Sequence, residues 1–198
     1  VPFKTFVAGR LYASEMMTYL MNQVVAAVTS TTRPTSPVQD QLIVESDTGL
    51  VKRYDSVAAT WRTWPPPPVQ FFEGSTFSVT STSYVAGSTE CSGTFVAPPS
   101  GTALISVGGE VEGFSTEGGM LLSWEVRVTN SAGAVFNAAT DTHGLFTQGV
   151  INNQSSYLTL LSGMTPGQTY FIRTMHRVTS AGTGTIFQRR LIVIPNPN

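Results

Sequence analysis

The chain has 198 residues and a formal net charge of −1, with 12% charged and 41% apolar residues. Charge this sparse, about half the ~25% usual in soluble domains, and without a basic cluster, excludes a surface built to release counterions from nucleic acid or to hold an anionic membrane face. The apolar share excludes a disordered chain, no apolar run reaches the ~18 residues of a bilayer span, and the length suits one domain or two small ones with a real core.

Residues 1–12 read as an extended lead-in. Val1-Pro2-Phe3-Lys4 carries no signal-peptide pattern, so a place outside the cell is expected to be reached by lysis and assembly rather than by secretion. Ser14 stands as a helix N-cap with Glu15 in the first turn, and the pattern predicts a helix over about 14–29. Met17, Leu20, Val24 and Ala27 share one face of it, and Met16, Met21, Val25 and Val28 widen the stripe. A helix of about four turns is marginal alone. Its stripe needs a partner, either the β segment that follows or the same helix in another copy.

Residues 41–64 predict a three-stranded meander: Gln41–Glu45, a turn at Asp47-Thr48-Gly49, Leu50–Tyr54, a second loop, then Trp61–Trp64. A sheet this small does not hold itself together well. Ile43, Val51, Tyr54 and Trp61 are expected to pack on the helix or on a neighbouring subunit. Pro65–Pro68 favours a stiff polyproline spacer and marks a boundary between an attachment segment, 1–64, and a domain at 69–198.

From Val69 onward, short alternating stretches are separated by Gly, Pro, Ser and Asn at intervals of about 8–15 residues, the pattern of a β-sandwich. About nine strands are expected. Leu122, Trp124, Val126 and Val128 alternate with Ser123, Glu125 and Arg127, and Tyr157, Thr159 and Leu161 mark another strand. In the last strand Phe187, Leu191 and Val193 are expected on one face and Ile186, Ile192 and Ile194 on the other. Both faces are then apolar, which calls for a second layer or another subunit. The overall expectation is a mainly β protein: a short N-terminal helix and meander followed by a jelly-roll-like β-sandwich.

Phe6-Val7-Ala8-Gly9, then Thr18-Tyr19-Leu20-Met21-Asn22-Gln23, then Asp40-Gln41-Leu42, Asp47-Thr48-Gly49-Leu50, Lys52-Arg53-Tyr54-Asp55 and Trp61 together form a pattern. It resembles the N-terminal module of structural proteins of actinobacterial phages. The likeness spans residues 5–64. Ser56 stands where that module has Gly, and the loop before Trp61 is longer. The runs Gly163–Tyr170 and Arg173-Thr174-Met175-His176-Arg177 look like the β-domain often attached to the module, and Thr165-Pro166-Gly167-Gln168-Thr169-Tyr170 also looks like the turn before a fibronectin type III strand with its tyrosine corner. The resemblance implies a virion protein of the minor tail or fibre-like kind, assembled in the host cytoplasm, trimeric, and bound to other virion proteins.

Chemistry finds little purchase. Asp141-Thr142-His143 lacks the Gly-x-Ser-x-Gly elbow of a hydrolase and reads as a polar loop. His143 and His176 are too few and too far apart for a metal centre, and His176 reads as half-buried or interfacial. Glu110, Glu112 and Glu117 sit in a Gly-rich stretch too short for a depolymerase. The single Cys91 cannot form an intrachain disulfide and reads as a small packed residue. No catalytic residue, cofactor or metal is expected. Met17, Leu20, Met21, Val24, Val28, Leu191, Ile192 and Ile194 are the candidate oligomer or attachment contacts. Tyr84, Phe114, Phe146 and Tyr157 are candidates for binding a host-surface glycan. Three functions compete: a trimeric tail-tip or fibre-like component, a head decoration or head-fibre protein, and a glycan-binding receptor module.

Overall fold

A computed structural model describes residues 25–56, 59–112, 118–148 and 153–196. The chain divides into two compact units, 1–66 and 67–198. The first holds one four-stranded sheet, in the order β1 (Ala26–Val28), β2 (Leu42–Glu45), β3 (Leu50–Asp55), β4 (Thr60–Thr63). Strands β2, β3 and β4 form the expected antiparallel meander, while β1 joins parallel to β2.

That first strand corrects the C-terminal end of the predicted helix. The part up to Val24 lies outside the described residues, but Ala26, Ala27 and Val28 are extended and pair with Ile43, Val44 and Glu45. The β-branched run around Val24, Val25 and Val28, followed by Thr29-Ser30-Thr31-Thr32, suits a strand as well as a helix stripe, and the edge of β2 supplies the hydrogen bonds. Val28 is therefore a half-buried strand residue. The β2–β3 turn has Gly49 at φ +69°, with its N–H on the Glu45 carbonyl at 2.8 Å. Asp47 accepts from Ser30 N (2.9 Å) and Ser30 Oγ (2.6 Å), which ties down the end of β1. Ile43 is fully buried, whereas Val51, Tyr54 and Trp61 are half-buried, with Tyr54 and Trp61 rings 5.3 Å apart across the strands. Glu45 is buried too, and accepts from Arg33 Nε at 2.5 Å and Thr48 Oγ1 at 2.8 Å. The Arg33 bond holds its carboxyl below the usual range.

The second unit is a β-sandwich. Its strands are β5 (Val69–Glu73), β6 (Phe77–Val79), β7 (Val85–Ala86), β8 (Ser92–Val96), β9 (Ala103–Glu112), β10 (Gly119–Val128), β11 (Val135–Asn137), β12 (Leu145–Gln148), β13 (Asn153–Leu161), β14 (Thr169–Val178) and β15 (Gly184–Pro195). One sheet runs β13-β9-β15-β5, with β6 also on β15. The other runs β11-β10-β14-β7, with β12 also on β10 and β8 also on β14. More strands appear than the sequence suggests because three lanes are each broken in two.

Alternate residues of both sheets meet in one core. Ile105, Val107 and Val111 of β9, and Ile186, Leu191 and Val193 of β15, face Leu122, Trp124 and Val126 of β10 and Ile172 and Val178 of β14. The turn into β14 forms a tyrosine-corner bond. Gly167 takes φ +78°, Gln168 N–H donates to the Thr165 carbonyl at 3.1 Å, and the Tyr170 hydroxyl accepts from Thr165 N at 3.0 Å. Tyr170→Phe strips that acceptor from a partly buried N–H and should cost about 1 kcal/mol in urea unfolding.

Strand β15 departs from the expected alternation. A bulge between Phe187 and Arg190 puts Gln188 and Arg189 opposite the single residue Gly109, with Gln188 at φ +50°. An extra residue flips the pleat. Ile186, Arg189, Leu191 and Val193 all point inward and are fully buried, while Ile192 and Ile194 point out. Leu191, expected at an interface, is therefore a core residue.

Candidate functional site

The two sheets present very different outer faces. On the β10/β14 sheet the outward residues Leu121, Ser123, Glu125, Phe171 and Met175 are all buried. The chain's own connections lie over them. Ser123 Oγ donates to the Thr140 carbonyl at 2.9 Å. Glu125 accepts from Arg127 Nε (2.6 Å) and Arg173 Nη2 (2.9 Å), and Arg173 Nη1 reaches Glu90 at 2.8 Å.

Above this lies the 3-10 turn Asp141–His143. The Asp141 carboxylate takes Arg177 Nε at 3.0 Å and Nη2 at 2.5 Å, and the Tyr84 hydroxyl donates to it at 3.0 Å. Arg177 holds the Asp141 carboxyl below its usual range. Burial, then Asp141, pushes the Tyr84 phenol up to about 12. His143 Nδ1 lies 3.4 Å from Ser123 Oγ and its ring 4.3 Å from Trp124. Asp141 thus faces Arg177 rather than His143, so no Ser–His–Asp relay is assembled here. Lone Cys91 is buried, its thiol pushed up to about 11 by burial. No cluster of His, Cys, Asp and Glu able to hold a metal occurs among the described residues.

The described aromatic candidates stand on separate elements, and two of them reach the Asp141–His143 turn. Tyr84 spends its hydroxyl on Asp141. Phe146 is exposed on β12, its ring filling the space where Gly119 lacks a side chain. Tyr157 stands on the opposite sheet with its hydroxyl 3.4 Å from the Thr142 carbonyl. Phe114 lies outside the described residues, as do Met17, Leu20, Met21 and Val24.

Inside the sandwich is a polar pocket that the sequence did not announce. His176, read as half-buried, is fully buried. Its Nδ1 lies 3.3 Å from the Val85 carbonyl, so that nitrogen carries the proton. The Phe77 ring sits 4.9 Å from the imidazole and 5.6 Å from the Arg189 guanidinium. Arg189, fully buried, donates from Nη2 to the Ser75 carbonyl at 3.2 Å. Its Nε and Nη1, His176 Nε2 and Thr174 Oγ1 have no protein partner among the described residues.

The β9/β15 sheet has a bare outer face. Register aligns Leu160, Leu104 and Ile194 in one row, and Leu158, Ser106, Ile192 and Gln70 in the next. Leu160 is 60% exposed, Leu158 53%, Ile194 37% and Leu104 36%. A third row holds Ser156, Gly108, Arg190 and Phe72, where Arg190 lies 5.4 Å over the exposed Phe72 ring. The patch is contiguous, and Arg190 is the one charged residue in these three rows. Ile192 and Ile194 were expected there from sequence. Leu104, Leu158 and Leu160 were not. For Leu158 and Leu160 the signal was the doubly apolar run Tyr157–Leu161, the same two-faced pattern seen in β15, and for Leu104 it was the run Ala103–Ile105.

No protein-family model matches the chain, and no curated protein does. Among solved structures, it is similar to the VP2 subviral particle of infectious bursal disease virus at 13% identity and a TM-score of 0.41, covering 70% of this chain and 35% of that one. It is also similar to the enzymatically active domain of tailspike protein 4 of bacteriophage CBA120, at 12% identity and a TM-score of 0.32, over 64% of this chain and 19% of that one. A third is Eiger TNF from S. frugiperda, at 11% identity and a TM-score of 0.34, over 66% and 93%. The chain spans about a third of the length of the VP2 chain it matches.

Proposed function

We propose that the protein is a non-enzymatic structural component of a bacteriophage particle, a homotrimer of the tail-tip or fibre-like type. The observation that carries this reading is the bare aliphatic face of the β9/β15 sheet, beside a second sheet whose outer face is covered by the chain's own connections. A face of that kind is stable in water when another surface covers it. The N-terminal motif pattern, which resembles a phage structural module, supports the same reading.

Counting each broken pair as one lane, the sheets run β13-β9-β15-β5/β6 and β11/β12-β10-β14-β7/β8. That is the order in which two Greek keys interlock, and we read the domain as a jelly roll. Mechanism here means burial of apolar surface between subunits, with residues 1–64 as the attachment and oligomerising segment.

The test is the mass of the full chain by light scattering. A trimer at micromolar concentration is expected, and a stable monomer would overturn it. Immunogold on intact particles then separates the positions: label on the tail supports this reading, and label confined to the head favours a decoration protein.

A further inference from the structure

Each sheet of the sandwich has two edges, and three of the four are blunted. The β5/β6 edge is broken at Gly74 and carries Glu73. The β11/β12 edge is two pieces of 3 and 4 residues, and β7/β8 two pieces of 2 and 5. Interruptions and charges are the devices that keep sheet edges from pairing with other chains.

Strand β13 has none of them. It is 9 residues long, Asn-Gln-Ser-Ser-Tyr-Leu-Thr-Leu-Leu, with no charge and no proline. Its register with β9 runs without a bulge from Asn153↔Val111 to Leu161↔Ala103. Beyond β9, its backbone takes no hydrogen bond from any described residue. The aliphatic rows also end on this edge, and they are most exposed there: Leu160 and Leu158 exceed Leu104 and Ile194.

We propose that β13 pairs antiparallel with β13 of a second copy, joining two β9/β15 sheets into one across a two-fold axis. The occupant is a copy rather than an unlike chain because the strand complements itself. Keeping outer faces together requires like-parity residues to oppose each other. With Thr159 on the axis, Leu158 meets the partner's Leu160, and Leu160 meets the partner's Leu158. The row Leu160–Leu104–Ile194 then runs on into the partner's leucines. This contact goes beyond the trimer reading and does not depend on how residues 1–64 associate.

Cysteines test it in the full-length protein. Directly opposed side chains lie about 4.5–5.5 Å apart at Cβ, within reach of a disulfide after slight adjustment. Native Cys91 is buried and its thiol inert, so it need not be removed. The chain carrying Leu158→Cys and Leu160→Cys together, oxidised with copper phenanthroline, should run as a covalent dimer on a non-reducing gel and revert with dithiothreitol. A chain carrying Leu104→Cys alone should not. Cross-linking of the Leu104→Cys chain instead would mean face-to-face stacking and overturn edge pairing. So would the absence of a dimer from the double variant while both new thiols react with a thiol reagent. Leu160→Lys is a second arm, since lysine blunts an edge. It should abolish the two-fold contact in sedimentation. A trimer without cross-links sinks only the edge contact, and cross-linked dimers without a trimer sink only the trimer.

Discussion

Acidification should destabilise the sandwich steeply, chiefly through one side chain, His176. Its imidazole is buried beside the Arg189 guanidinium, and burial first, Arg189 second, pushes it down from 6.5 to about 3. The unfolded chain takes that proton near pH 6.5 and the folded chain does so only near 3. Between those values the unfolded state binds more protons, so stability falls as pH falls. The contribution is fully present above the unfolded value and is lost down to the folded one. At ~1.4 kcal/mol per unit, the loss reaches about 4 kcal/mol by pH 3. Urea unfolding between pH 6.5 and 4.5 reads it where Asp141, held low by Arg177, stays ionised, and where His143, also held below 6.5 by burial, adds a share of its own. A loss of about 2–3 kcal/mol is expected over that window. His176→Asn keeps a donor for the Val85 carbonyl but cannot titrate, so its stability should fall much less there, the remaining slope being the share of His143. Equal slopes for the two proteins would rule out His176 as the source.

Trp124→Ala should be the most damaging core substitution. The indole is 1% exposed, lies between the sheets against His143, and donates from Nε1 to Thr159 Oγ1 at 3.3 Å. Emptying that volume costs the transfer energy of the ring and leaves a cavity, together about 3–5 kcal/mol. A melting temperature lower by roughly 10 °C or more is expected for a chain of this size. Trp124→Phe keeps much of the volume and should recover most of the loss. If alanine and phenylalanine cost the same, the indole N–H bond rather than packing would be the larger contribution.

How far the sequence spoke depended on whether one local rule applied at a time. Strands β2 and β3 were legible because alternation, a Gly able to take positive φ and a short turn all agreed. Strand β1 was not, because its sequence satisfies both a helix stripe and an extended run, and pairing with β2 decides between them at Ala26–Val28. Strand β15 was found, but its faces were misassigned at one end. Alternation cannot register a bulge, and Gln188 carries no Gly-like warning of its positive φ. The same bulge placed Leu191 in the core while leaving Ile192 and Ile194 outside, where they were expected. On β13, Tyr157, Thr159 and Leu161 marked the strand, and that alternation drew attention from Leu158 and Leu160. Only register with β9 and β15 shows that these leucines continue the rows of Leu104 and Ile194. The polar pocket of His176, Thr174 and Arg189 was invisible, since its members are separated in sequence and meet only when the sheets close.

The position of β15 bears on how the domain comes to exist at all. This strand is the last of the sandwich in chain order and yet a central one, paired with β9 on one side and with β5 and β6 on the other. Until residue 195 has left the ribosome, β5 has no neighbour and half the core has no wall. The nascent chain therefore cannot fold progressively. Its partners are far apart in sequence, which makes closure slow, and the apolar strands stay open to misassociation while it waits. Yield in a host cell should accordingly depend on chaperone supply and synthesis temperature more than on the stability of the finished sandwich.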